Sequence, residues 1–271
     1  MSGSLIADAS ARARRAVRRV SSLGRPGNVV MFHSGRSGSS VLGLMLEETR
    51  RIVWGGELYD TLVTEGTLPV AGDSEAPFRY LQRHMVHAGS RYYGFEVKFL
   101  HLDALGLSSA DYLERIENLG VDHFIVLRRR NTLRVLVSVI IAAQDGPYHQ
   151  SSDTPSKLRQ AIVPIEKTLR DGSTRSLVER IREREDEYAV LEQALVGRKV
   201  LRLTYEDDIS DDPRIGYRRI CSFLGIKAGD VPVRLSKTNP FPLRETIANV
   251  DEVEEALEGS PFEWMLDEQP P

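Results

Sequence analysis

One stretch constrains this chain more than any other. His33-Ser34-Gly35-Arg36-Ser37-Gly38-Ser39-Ser40 stands between the apolar run Val29-Val30-Met31-Phe32 and a helical pattern, Val41 to Glu48. A short continuous apolar run reads as a buried strand of a parallel sheet. Strand, glycine-rich loop and helix, in that order, open an α/β nucleotide-binding unit. A phosphate at such a junction needs inward-pointing amides, a helix N-terminus, hydroxyls and a cation. Gly35 and Gly38 supply the tight positions, Ser34, Ser37, Ser39 and Ser40 the hydroxyls, and Arg36 the cation. The loop is not a Walker A motif, which needs four residues between its glycines and then Gly-Lys-Ser/Thr. Taken alone it is also compatible with a plain structural turn.

The rest of the chain repeats the alternation. Strands are expected at Ile52-Val53-Trp54, ending at Gly55-Gly56-Glu57, at Tyr93 to Phe99, His123 to Leu127 and Lys199 to Thr204. Helices are expected around Phe78 to His87, Asp111 to Leu119, Asn131 to Ala143 and Arg175 to Leu195. Asp212 before Pro213 marks a further helix start, with a capping side chain and proline at the first helical position. That helix runs to about Leu224, and the tail from Asp251 to Leu266 also reads as helical. The fold class is therefore α/β: a P-loop-like, three-layer fold with a mostly parallel central sheet flanked by helices. Residues 1–27 form a basic leader or helix, and 28–271 a single domain.

Composition narrows the function classes. With 271 residues, 41% hydrophobic and 28% charged, the chain can bury one large core. A net charge of −3 gives no field that argues for nucleic acid. The single cysteine, Cys221, excludes an internal disulfide and a cysteine-rich zinc site, and reads as a buried structural thiol. No apolar run reaches membrane-spanning length. The N-terminus departs from the average: between Asp8 and Glu47 there is no acid, while Arg12, Arg14, Arg15, Arg18, Arg19, Arg25 and Arg36 fall in that window. A basic amphipathic helix there suits weak contact with a membrane surface or an anionic partner, and a solvated leader is the plainer expectation. No apolar export segment is visible, so the expected location is cytoplasmic.

Arg36-Ser37-Gly38-Ser39-Ser40 resembles the 5′-phosphosulfate loop of the sulfotransferases that use 3′-phosphoadenosine 5′-phosphosulfate (PAPS). Arginine in this loop is similar to the tyrosine-protein branch and many bacterial members. The family's second signature, an arginine at a strand end and a serine eight residues on, resembles Arg130 to Ser138. Thr132 stands where that signature has proline, which leaves the phosphate arginine open among Arg128, Arg129 and Arg130. Thr204-Tyr205-Glu206-Asp207 resembles a strand-end element of the same family, and the tail from Lys237 to Leu266 is similar to small bacterial members. The resemblance spans roughly residues 28–266. It implies PAPS as co-substrate, no metal, and a small-molecule, carbohydrate or lipid acceptor. It also implies donor-binding roles for residues 34–40, Arg130, Ser138 and Tyr205, with Lys237 reaching the 3′-phosphate.

The geometry agrees independently. Ligands of open α/β sheets bind beyond the carboxyl ends of strands, where Arg36 and Arg130 belong. Ser138 lies about two turns into its helix and faces the way the helix start does. Arg36 is the candidate for the leaving phosphate and sulfuryl oxygens. Glu57, after Gly55-Gly56 at a strand end, is the favoured base; the resemblance, through its cytosolic branch, implies His101 beside Lys98 as the alternative. Tyr59, Phe78, Tyr80, Tyr92, Tyr148 and His149 are aromatic and polar candidates for an acceptor pocket or for the core. Two other functions compete: a P-loop-type nucleotide kinase, and a nucleotide-binding module without activity.

Overall fold

Five parallel strands account for the alternation. The computed structural model describes residues 25–66, 73–145, 150–151, 157–169, 172–237 and 239–268. β1 (Asn28–His33) leads through the glycine-serine loop to α1 (Ser39–Glu48). β2 (Ile52–Glu57) precedes α2 (Asp60–Thr64) and α3 (Ala76–His87). β3 (Tyr92–Lys98) runs into α4 (Phe99–Leu105) and α5 (Ser109–Asn118), and β4 (His123–Arg128) into α6 (Thr132–Asp145). Short strands β5 (Gln150–Ser151), β6 (Glu166–Thr168) and β7 (Thr174–Ser176) precede α7 (Leu177–Ala194) and β8 (Val200–Thr204). Then come α8 (Tyr205–Asp208), α9 (Arg214–Leu224), β9 (Leu235–Ser236), α10 (Leu243–Thr246), α11 (Val250–Leu257) and α12 (Trp264–Asp267).

The sheet order is β2-β3-β1-β4-β8, with every neighbouring pair parallel. β1 is central, so its residues are buried on both faces, as the unbroken apolar run requires. One face carries Val30, Phe32, Phe95, Val97 and Val126 against Tyr112 of α5 and Leu191 of α7. The other carries Val29, Met31, Ile125 and Leu127 against Leu42 and Met45 of α1 and Ile220 of α9. The expected α/β three-layer class is the architecture present. β1, β4 and β8 all release the chain at one edge, and the cavity described below lies there.

Local chemistry explains the boundaries. Ser176 and Glu179 form a reciprocal capping box, so α7 begins at Leu177, after a strand that takes Arg175. Asp212 Oδ1 accepts from the Arg214 amide at 3.0 Å, but α9 begins at Arg214, so Pro213 stands at the cap position and not at the first helical one. The tail is not one helix: it breaks at Gly259, in a left-handed turn, and resumes at Trp264. Tyr59, Phe78 and Tyr92 are buried in the core, whereas Tyr148 and His149 lie outside the described residues. Of the basic N-terminal segment, residues 1–24 lie outside them too; Arg25 caps the end of α3 through the Met85 and Gly89 carbonyls. Cys221 is fully buried, and burial pushes its thiol up. No described helix is long and apolar enough to cross a membrane.

Candidate active site

The loop is shaped by its own side chains. Gly35 (φ 84°), Arg36 (φ 53°) and Gly38 (φ 86°) all take left-handed backbone. A Cβ on Gly38 would lie 2.9 Å from Ile209 Cγ2, so position and conformation both require glycine there. Ser37 is buried and its hydroxyl donates to the Gly35 carbonyl at 3.0 Å; it braces the turn and does not line the cavity. His33 Nδ1 accepts from the Gly35 amide at 3.0 Å, and Tyr188 of α7 accepts from the Ser34 amide at 3.1 Å. Ser34, Gly35, Arg36, Gly38, Ser39 and Ser40 line an open cavity of about 1510 Å³.

The second motif meets the first inside this cavity. Arg36 Nε donates to Ser138 Oγ at 2.9 Å, across 102 residues of sequence. The three consecutive arginines part company. Arg128 pairs with Glu185 and lies 5.3 Å from the Tyr188 ring centroid. Arg130 is forked on Asp207 at 2.7 and 2.8 Å, with its side chain 39% exposed. Arg129 turns inward, 4.1 Å over the Tyr205 ring, and donates to the Arg36 carbonyl at 3.3 Å. Burial pushes its pKa down, and among the described residues no carboxylate stands within ion-pair distance of it. Glu206 accepts from the Arg130 and Asn131 amides and so caps α6. The Tyr205-Glu206-Asp207 element thus fixes the start of α6 and neutralises Arg130. Lys237 is exposed on the same cavity and donates to Ser210 Oγ at 3.1 Å.

The opposite wall depends on a bulge. β2 pairs Trp54 with Gly94 and Glu57 with Glu96, so Gly55 and Gly56 stand against the single residue Phe95. Side chains alternate along a strand, so without the extra residue Glu57 would face away from Trp54. With it, Glu57 shares the face of Trp54 and Glu96 and reaches the cavity. There Lys98 Nζ donates to Glu57 Oε2 at 2.6 Å and to Asp60 Oδ1 at 2.5 Å. Burial alone would lower the Lys98 pKa, but its two carboxylates raise it; burial opposes the lowering of the Asp60 carboxyl by Lys98. His101 is wholly buried behind this wall and does not line the cavity. Its Nδ1 accepts the Lys98 amide at 3.1 Å, and burial, reinforced by the Lys98 charge, lowers its pKa to about 4.

Beneath both walls lies Glu96, only 2% exposed. An unpaired buried carboxylate costs several kcal/mol, so its donors matter. Trp54 Nε1 donates to Oε1 at 2.7 Å, and His33 Nε2 stands 3.0 Å from Oε2, off the angle of a well-formed hydrogen bond. Burial would raise the Glu96 pKa; His33, Trp54 and Ser39 outweigh it and hold the carboxylate low. The Trp54 ring fits because Gly43 and Gly94 leave it space: a Cβ on either would lie within 2.6 Å of it. His33, Glu57 and Glu96 each place one potential ligand atom within 4.8 Å of the others, the one such group among the described residues.

The structure therefore brings Ser34, Gly35, Arg36, Gly38, Ser39, Ser40, Glu57, Ser138, Tyr205, Arg130 and Lys237 to one cavity, and leaves Ser37 beneath the loop and His101 behind the wall. Sequence reasoning passed over Glu96, Tyr188 and Arg134. Tyr188 carries no local signal. Glu96, an acid inside an otherwise apolar-aromatic strand, did. No family model and no curated protein matches the chain. A solved sulfotransferase from Alicyclobacillus acidocaldarius matches at 14% identity, covering 76% of this chain and 83% of that one, with a TM-score of 0.45. A likeness that slight leaves the site to be judged on its own residues.

Proposed function

We propose that the chain transfers a sulfuryl group from PAPS to a hydroxyl or amine of a small-molecule, carbohydrate or lipid acceptor. The observation that carries this is the Arg36–Ser138 hydrogen bond, which joins the two motifs resembling the donor-binding signatures. The cavity suits a doubly phosphorylated nucleotide: loop amides and Arg36 at one anion, Ser138 and inward-turned Arg129 toward the other. Tyr205 offers a ring face beside Arg129.

In this proposal Glu57 takes the proton of the acceptor hydroxyl as its oxygen bonds to sulfur. The sulfur–oxygen bond to the 5′-phosphate breaks in line, and Arg36 with the loop amides stabilises the charge on the leaving phosphate. Lys98 has two carboxylate partners, so it can turn from Glu57 to the sulfuryl oxygens while Asp60 still balances its charge. His101, buried and not part of the cavity lining, is not assigned the base.

Divalent-cation phosphoryl transfer is the second reading, and the His33–Glu57–Glu96 group is what favours it. Lys98 already occupies Glu57, and the loop lacks the lysine of a Walker motif. One pair of measurements separates the two. Adenosine 3′,5′-bisphosphate without magnesium is expected to raise the thermal midpoint and Mg-ATP is not; the reverse overturns the sulfuryl reading. Radiolabelled sulfuryl should pass from PAPS to an acceptor panel with the wild type and not with Arg36→Ala.

A further inference from the structure

Arg134 precedes Ser138 by four residues on α6, so the two share a helix face, and both line the cavity. Arg134 is 8% exposed, yet its charge is fully matched. Glu268 takes its guanidinium in a fork: Nε to Oε1 at 2.9 Å, Nη2 to Oε1 at 2.6 Å and Nη2 to Oε2 at 2.6 Å. Nη1 donates to the Phe241 carbonyl at 2.7 Å. Glu268 follows α12, holds left-handed backbone at φ 59°, and lines the same cavity.

Two features set this pair apart from an ordinary ion pair. Its cation is one of three arginines converging on one side of the cavity, with Arg36 bonded to Ser138 and Arg129 close enough for the Arg134 charge to depress its pKa. Its anion presents two oxygens to a guanidinium fork, which is the geometry a phosphate also offers. A carboxylate placed on that fork fills the place of an anionic ligand and repels one that approaches.

We infer that Arg134 binds the second phosphate of the donor nucleotide, and that Glu268 is an internal anion which holds this subsite until the nucleotide replaces it. The inference rests on the proposed function, which supplies the bisphosphate. Arg134 contributes a rigid, pre-formed fork; Glu268 keeps that buried cation from standing uncompensated before the ligand arrives. Binding then exchanges one forked anion for another and releases Glu268.

Calorimetric titration with adenosine 3′,5′-bisphosphate and with adenosine 5′-monophosphate tests it. Glu268→Gln should raise bisphosphate affinity about tenfold, since a like charge leaves the subsite, and change monophosphate affinity by less than about twofold. Its thermal midpoint without ligand should fall, and saturating bisphosphate should narrow the gap to wild type. A tail that Arg134 merely anchors would lose stability without gaining affinity. Arg134→Gln should weaken bisphosphate binding about tenfold and spare the monophosphate; this arm decides the matter even where Glu268→Gln fails to fold. Bisphosphate binding by the wild type with no gain in Glu268→Gln and no loss in Arg134→Gln overturns this inference alone. No bisphosphate binding by the wild type overturns the proposed function, and the inference with it.

Discussion

The two walls of the cavity, donor and acceptor walls under the proposed function, are built differently. The donor wall uses backbone: left-handed turns at Gly35 and Gly38, the start of α1, and the capped start of α6. Its cations come from two short contiguous stretches. The acceptor wall uses single side chains from separate strands and helices, Glu57, Asp60 and Lys98, aimed by a bulge and held by one another. The difference teaches where specificity of each kind sits. A phosphate subsite needs many weak donors in a fixed curve, and only local sequence can guarantee the curve. A proton-transfer subsite needs one group at one place, and any scaffold that delivers it suffices.

The sharpest way to break this division is at Glu57. Glu57→Gln keeps the shape of the acceptor wall and a partner for Lys98, and removes the proposed base. Turnover is expected to fall about 10³-fold, equivalent to about 4 kcal/mol, with bisphosphate affinity nearly unchanged. Equal losses in turnover and in bisphosphate affinity would show the two walls to be one energetic unit.

His101 offers a test of stability in place of turnover. Its pKa of about 4 in the fold stands against 6.5 for an ordinary imidazole. Between those values the unfolded chain binds more protons, so stability drops as pH falls from about 6.5 to about 4, by about 3 kcal/mol at most. Glu187, raised to about 7 chiefly by burial, works in the opposite sense across part of that range. The readout is therefore a difference: denaturant titrations at pH 4.5, 5.5 and 6.5 should show a flatter pH slope for His101→Gln than for wild type. Parallel slopes would mean that His101 titrates in the fold as it does in the unfolded chain, and that burial does not hold it neutral.

The same division governs what the sequence could reveal. The parallel sheet was legible because Val29 to Phe32 and Phe124 to Leu127 are apolar without a break, and the loop because its glycines and serines are adjacent. Glu57 was legible as a residue but not as a geometry. Strict alternation puts it on the wrong face, and only the pairing with β3 reveals that Gly55-Gly56 holds one residue too many. The burial of His101 was hidden because it depends on Tyr59 and Asp60 arriving from another element. The arginine run left its phosphate ligand open, because the carboxylates that neutralise Arg128 and Arg130 come from α7 and α8, 57 and 77 residues away.

That run gives the smallest expected effect and the cleanest one. Arg129 and Arg130 are adjacent, carry the same charge and border the same cavity. They differ in what already holds them. Arg130 is forked on Asp207 with its side chain 39% exposed, so water as well as Asp207 screens its charge from an arriving phosphate, unlike that of the buried Arg134. Among the described residues Arg129 meets the Tyr205 ring and one carbonyl, neither of which cancels its charge. A charge-assisted hydrogen bond contributes about 1.5–3 kcal/mol, and an exposed ion pair about 0–1 kcal/mol. Arg129→Ala should therefore weaken bisphosphate binding by at least about tenfold, and Arg130→Ala by less than about threefold. Arg130→Ala should instead lower the thermal midpoint slightly, because among the described residues Asp207 keeps only its Thr204 contacts beside the cap of α6. The reverse order of affinities would mean that Arg130 abandons Asp207 on binding. The donor wall would then give up a second carboxylate besides Glu268, and the contrast between a preformed backbone curve and movable side chains would weaken where Arg129 and Arg130 meet it.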